Sequence, residues 1–144
     1  MFVADCLQVN KQGHLCMEEL DVLELAAKYG TPLYVMSETQ IRKNCRMYQD
    51  SLKRFYGGNG LALYASKAFC CKEICRIAAQ EGMGLDVVSG GELYTAVSAG
   101  FSPEKIYFHG NNKTAPELVA ALEQKVGTIV VDNLEELEML DRLA

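Results

Sequence analysis

Four short apolar runs begin at Leu61, Leu85, Ile106 and Thr128, at successive steps of 24, 21 and 22 residues. Each run is too short for a buried helix, and each is followed by a helical pattern. Strands separated by helices run parallel, because only a crossover of a dozen or more residues brings the chain back to start in the same direction. Gly82, Gly100 and Gly127 stand where the intervening helices should stop. Thr114-Ala115-Pro116-Glu117 is a capping box with proline in the first turn, and Asn133 followed by Glu136 is another start signal. Two architectures fit this period, an open doubly wound sheet and a barrel. No GxGxxG follows a strand, so a dinucleotide fold lacks its usual support. Four βα units are half of an eight-unit barrel, which typically needs about 250 residues, and this chain has 144. The chain also stops at Ala144 inside its last helical pattern, with no glycine, asparagine or proline signal. The expectation is an α/β chain forming the N-terminal piece of something longer. Alone, it would leave a sheet edge at residues 129–131 and one side of its core open.

Before this array, residues 2–9 and 14–17 flank Asn10-Lys11-Gln12-Gly13, which predicts a hairpin. A helix is expected over residues 18–29, with Glu18 and Glu19 at its positive end, Lys28 in its last turn and Gly30 as its stop. Thr31-Pro32 then breaks to a short strand at residues 33–36. Ser37-Glu38-Thr39-Gln40 is a capping box, and the helix it opens carries the stripe Ile41, Cys45, Tyr48, Leu52 and Phe55. Arg42, Lys43, Arg46, Lys53 and Arg54 lie mostly off that stripe and read as a solvated face.

Composition narrows the function classes. Fourteen basic against nineteen acidic residues give a net charge of −5, which argues against nucleic acid or an anionic membrane surface as partner. No apolar run approaches the roughly 18 residues needed to span a bilayer. The opening Met-Phe-Val-Ala-Asp-Cys has neither a basic segment nor an apolar one of signal-peptide type, so the chain is expected in the cytosol. Six cysteines, at 6, 16, 45, 70, 71 and 75, form no CxxC pair, and no histidine stands at zinc-finger spacing. They read as small buried hydrophobes, and no metal site is expected.

In a barrel, function gathers at the C-terminal ends of the strands. Those ends read Ser66-Lys67, Ser89, His109-Gly110-Asn111-Asn112 and Asp132-Asn133, one polar rim on apolar strands. Lys67 directly follows an apolar run. Desolvation there would favour the neutral, nucleophilic amine, which can condense with an aldehyde cofactor, and the competing reading is a lysine reaching from a strand end into water. Asp86 interrupts the run Leu85-Asp86-Val87-Val88, and Lys67 on the neighbouring strand is its expected partner, either as a structural ion pair or as an orienting contact. Glu92 complements the dipole of the following helix, and Gly90-Gly91 is a weak phosphate signal. Tyr64 and Tyr107 read as packing residues. His109 is one of two histidines, and His14 in the hairpin is given no role.

Tyr64-Ala65-Ser66-Lys67-Ala68, Gly84-Leu85-Asp86-Val87-Val88-Ser89-Gly90-Gly91-Glu92-Leu93 and Phe108-His109-Gly110-Asn111-Asn112-Lys113 together resemble the diaminopimelate decarboxylase family. Gly30-Thr31-Pro32-Leu33-Tyr34-Val35 is similar to the family's entry segment. The first element is shared with ornithine and arginine decarboxylases, whereas the second and third point to the diaminopimelate branch. The resemblance implies an alanine-racemase-like (β/α)8 barrel that binds pyridoxal 5'-phosphate, plus a β-sandwich domain built from both chain ends. Residues 1–35 would contribute to that sandwich and residues 36–144 would form the first half of the barrel. It implies the decarboxylation of meso-2,6-diaminopimelate to L-lysine by a homodimer with shared sites. Lys67 matches the lysine that holds the cofactor aldehyde, Asp86 a position near that lysine, and His109 and Asn111 a motif on the cofactor side. The family's later histidine, glycine-rich phosphate loop, EPGR segment and partner-chain cysteine motif have no counterpart here, so little activity is expected of these 144 residues alone. The alternatives are another pyridoxal-phosphate decarboxylase or racemase of the same barrel group, and a non-catalytic half-barrel interaction protein.

Overall fold

The structure, a computed structural model, describes residues 5–144, and the first residues of the expected hairpin, 2–4, lie outside them. The chain divides into two compact units, residues 1–44 and 45–144.

The first unit opens with the hairpin. Strand β1 (Leu7–Val9) pairs antiparallel with β2 (Leu15–Met17), Leu7 opposite Met17. Asn10 closes the turn by accepting from the amides of Gln12 at 3.0 Å and His14 at 2.9 Å, with Gly13 in the left-handed region at φ 82°. A third strand, β3 (Leu20–Asp21), pairs with β2 and occupies residues expected to be helical. Helix α1 (Val22–Tyr29) therefore starts four residues later than the acidic pair suggested. Asp21 can cap it, accepting from Leu23 N at 2.8 Å, while Glu18 sits at φ 56° before the strand. Gly30 ends α1 as expected. The strand expected at residues 33–36 does not form. Among the described residues no strand pairs with this segment, and Tyr34 is 97% exposed. Helix α2 (Glu38–Tyr56) begins at the expected cap, where Ser37 Oγ accepts from Gln40 N at 3.0 Å. Only half the box is made, because the Gln40 side chain turns to Asn44 at 2.8 Å.

The second unit holds the periodic array. Strands β4 (Leu63–Ala65), β5 (Gly84–Val87), β6 (Ile106–Phe108) and β7 (Thr128–Ile129) lie side by side in sequence order, all parallel. Helices α3 (Lys72–Gln80), α4 (Gly90–Ser98), α5 (Ala115–Glu123) and α6 (Leu134–Leu143) follow them in turn. One face of the sheet makes the core. Leu85, Val87, Ile106 and Phe108 have no exposed surface, and the helices contribute Ile74, Cys75, Ile77, Ala78, Leu93, Ala96, Leu118 and Ala121. Each large apolar side chain buried here is worth about 1.5–3 kcal/mol.

Two helix stops behave as expected, with Gly82 at φ 76° and Gly100 at φ 81°. Gly127 is not a stop. Helix α5 ends at Glu123, and Lys125 takes the left-handed conformation at φ 57°. Gly127 is needed for a different reason, since a Cβ there would lie 2.0 Å from the Glu104 carbonyl oxygen. The α2 stripe is also less buried than its spacing predicts, with Tyr48 and Phe55 59% and 69% exposed. Polar ties hold this helix instead: Arg46 pairs with Glu81 at 2.7 Å, and Gln49 donates to the Gly82 carbonyl at 2.9 Å.

Candidate functional site

Side chains alternate along a strand, and register partners in a parallel sheet share a face. With Leu85 and Val87 buried against the helices, Asp86 faces the other side, in register with Ala65 and Tyr107. The strand thus avoids the cost of a carboxylate in its core. His109, two residues beyond Tyr107, falls on the same face, and its Nδ1 contacts Asp86 Oδ1. Asp86 is therefore paired with His109 and not with Lys67 as expected. Beyond Ala65 the chain turns into a single 3-10 turn, Ser66–Ala68, which removes Lys67 from the strand alternation. Lys67 is exposed and makes no hydrogen bond or ion pair with a described residue, so the desolvation expected of it is not supplied by them. Asn111 is likewise exposed, in the loop after β6. All four residues stand at the strand ends, but contact joins only Asp86 and His109. Tyr64 and Tyr107 are half-buried, and the Tyr64 hydroxyl donates to the Phe69 carbonyl at 2.8 Å. Burial and the thiols at 70, 75, 71 and 45 push the Tyr64 phenol up. Burial also pushes the thiol of the fully enclosed Cys75 up to about 12, which suits a packing residue.

Several residues without an assigned role turn out to hold this rim in place. Glu92, read from its position as a dipole partner, is the hub of a network. Its Oε1 lies 2.7 Å from the buried Ser66 hydroxyl, and its Oε2 accepts from Val88 N at 3.0 Å and Ser89 Oγ at 2.9 Å. Ser66 shares its single proton with the Asp86 carbonyl at 2.8 Å. The residue before Lys67 is thus tied to the end of the next strand. The Ser-Gly-Gly-Glu spacing was the available signal, since Ser89 caps α4 and Glu92 is its third residue. A second bridge runs from the Thr114 capping box. Glu117 Oε1 accepts from Gly90 N at 2.7 Å, so that amide is engaged and not free for a phosphate. The amides of Thr114 and Gly90 and the Thr114 hydroxyl hold the Glu117 carboxyl below its ordinary range.

A comparison with known protein families matches residues 38–144 to the pyridoxal-dependent decarboxylase, pyridoxal binding domain. The chain belongs to this family. Among curated relatives, a diaminopimelate decarboxylase of Bacillus methanolicus is 48% identical over 143 residues, covering 99% of this chain and 33% of the relative. That of Bacillus subtilis is 49% identical over 146 residues, covering 99% and 32%. The chain thus spans about a third of the length of the curated relatives it matches. Among solved structures, diaminopimelate decarboxylase from M. jannaschii in complex with L-lysine superposes with a TM-score of 0.89 at 39% identity, covering 99% of this chain and 33% of that one. Of the two architectures that strand spacing left open, the partial barrel that the resemblance implies is the fold of this family, and pyridoxal phosphate is the family's cofactor. The donor set at the strand ends suits the aldehyde end of that cofactor. Among the described residues the Lys67 amine has no competing partner, and the His109 imidazole at the end of β6 has its Nδ1 engaged by Asp86.

Proposed function

We propose that this chain is the lysine-bearing third of a diaminopimelate decarboxylase, which removes the carboxylate at the D-centre of meso-2,6-diaminopimelate to give L-lysine and carbon dioxide. One observation carries the reading: nearly the whole chain, not one motif, is 48–49% identical to proteins named for that activity. When bound, pyridoxal phosphate supplies the sink for the electron pair that the departing carboxylate leaves behind. Lys67 supplies the amine that holds the cofactor's aldehyde carbon. The 3-10 turn fixes where that amine starts, because Ser66 is tied to Glu92 and to the Asp86 carbonyl. The contact between Asp86 Oδ1 and His109 Nδ1 fixes the ring's orientation on the sheet face opposite the core and leaves Nε2 as the nitrogen that Asp86 does not engage. Asn111, on the loop two residues further, is assigned to the cofactor side by the family motif alone. The reading also carries the homodimer with shared sites, the cytoplasmic location and the sandwich role of residues 1–35 that the resemblance implies. Among the described residues, no helix is long and apolar enough to cross a membrane.

Incubating the polypeptide that contains this chain with pyridoxal phosphate, reducing with borohydride and mapping the labelled peptide tests the assignment. Label on Lys67 is expected. Label elsewhere, or none, refutes it. Carbon dioxide release by the polypeptide containing this chain, measured with diaminopimelate, ornithine and arginine in parallel, tests the substrate. Turnover of ornithine alone would replace the reading with another decarboxylase of the group.

A further inference from the structure

The one buried ion pair of the parallel unit, among the described residues, joins Lys113 to Glu136, with side chains 1% and 4% exposed. The Lys113 ammonium lies 2.8 Å from Glu136 Oε1, a charge contact rather than an aligned hydrogen bond. Its aligned bonds go elsewhere: it donates to the Gly110 carbonyl at 2.5 Å and to the Val130 carbonyl at 3.0 Å, and it stands 5.9 Å from the Phe108 ring centre. These partners come from three places, the loop after β6, the end of β7 and helix α6. Burying two charges is expensive, and an ion pair alone often fails to recover that cost against an apolar pair. A core that needed only filling would do as well with a methionine and a leucine. What an apolar pair cannot do is grip two carbonyls. One of them belongs to Gly110, the residue after His109. Gly110 has φ 109° and approaches so closely that a Cβ would lie 2.9 Å from the Val88 carbonyl oxygen.

We propose that Lys113 is a positioning residue for His109: through the Gly110 carbonyl it sets the loop that keeps the imidazole on Asp86, and through Val130 and Glu136 it makes that setting depend on the next βα unit. The functional weight of this inference rests on the decarboxylase reading, but the contact it describes does not. The chain has two histidines, and His14 lies in the other compact unit, so histidine-selective nitrogen labelling gives one reporting ring and one internal control. The test is the shift that Asp86→Asn produces in the His109 ring signals, measured first in the parent chain and then in a Lys113→Met/Glu136→Leu background. The double replacement removes both buried charges together, so that neither is left unpaired and the core stays filled. A shift reduced by about half or more, with His14 unmoved, supports the positioning role. An equal shift in both backgrounds overturns it and leaves Lys113 a packing residue. Lys113→Met alone, if folded, should behave like the double variant; a double variant that restores the full Asp86 response also overturns the proposal. No shift in the parent chain removes the Asp86–His109 contact itself, and the inference with it. Failure of the decarboxylase reading shows separately, as the absence of borohydride label on Lys67.

Discussion

Glu92 offers the sharpest stability test, because its three donors have unequal alternatives. In Glu92→Ala, Ser66 keeps the Asp86 carbonyl at 2.8 Å. Ser89 keeps the capping bond it accepts from the residue-92 amide at 3.3 Å, but its hydroxyl loses the acceptor it had at 2.9 Å. The Val88 amide loses its side-chain acceptor at 3.0 Å. Losing two bonds to a charged acceptor, at about 1.5 kcal/mol each, predicts a destabilisation of about 3 kcal/mol. Glu92→Gln retains one acceptor oxygen for Val88, and Ser66 can direct its proton wholly to Asp86, so a loss of about 1 kcal/mol is expected. Ser66→Ala removes one buried donor and leaves Oε1 without that partner, which should cost about 2 kcal/mol. Urea unfolding followed by circular dichroism reads the series. With a slope of about 1.5 kcal/mol/M, the alanine variant's midpoint should fall by about 2 M. The borohydride label on Lys67 should fall in the same order, because Ser66 anchors the turn that carries it. Glutamine as damaging as alanine, or a loss below about 0.5 kcal/mol for alanine, would refute the network and return Glu92 to a solvated dipole partner.

Gly127→Ala places a Cβ 2.0 Å from the Glu104 carbonyl oxygen, a backbone atom that has nowhere to go. A loss of at least about 3 kcal/mol is expected, and a midpoint within error of wild type would show that the two loops separate freely. Leu118→Ala empties a fully buried site under the sheet and should cost about 3 kcal/mol by the same urea assay. Glu117 carries a pH prediction. Its carboxyl is held below its ordinary value near 4.5, so its contribution is whole above that pH and is lost as pH falls through the lowered value. Glu117→Gln should flatten that part of the acid limb of stability against pH. An unchanged acid limb would remove the Gly90–Glu117 bridge from the account.

Periodicity carried the architecture, because a strand's existence depends on local apolar content and on the helix that follows. The parallel direction of β4 to β7 follows from spacing alone, whereas their sequential order, which separates a barrel from a doubly wound sheet, does not. The expectations that failed depended on partners distant in sequence. Residues 33–36 have the composition of a strand but no described strand to pair with. Gly127 has the position of a helix stop, yet its reason to be glycine is a backbone atom 23 residues earlier. Asp86 meets His109 and not the expected Lys67, because sequence position does not show that the chain leaves strand geometry at Ser66. Lys113 was visible inside a motif but had no readable role, since nothing local says that its ammonium is enclosed by the ends of two later elements.

These misassignments share a cause that bears on how the site works. The Asp86–His109 contact is set by sheet register, which cannot slip by one residue without turning every core side chain outward, and by the loop that follows β6. Lys67 is set by a one-turn helix whose anchor is the Ser66 hydroxyl, and a hydroxyl rotates between acceptors at small cost. The carboxylate and imidazole therefore form the fixed half of the rim and the amine the adjustable half. A residue that must engage an incoming aldehyde gains from that freedom, whereas a ring that must present one nitrogen to a fixed place does not. On this division, changes at Glu92 or Ser66 should alter how fast Lys67 is labelled while leaving the His109 ring signals in place. Changes at Gly110, whose φ of 109° disfavours any side chain, should do the reverse. A Gly110→Ala variant that slowed labelling without moving His109 would show that the two halves are one rigid body, and that the register argument assigns the roles wrongly.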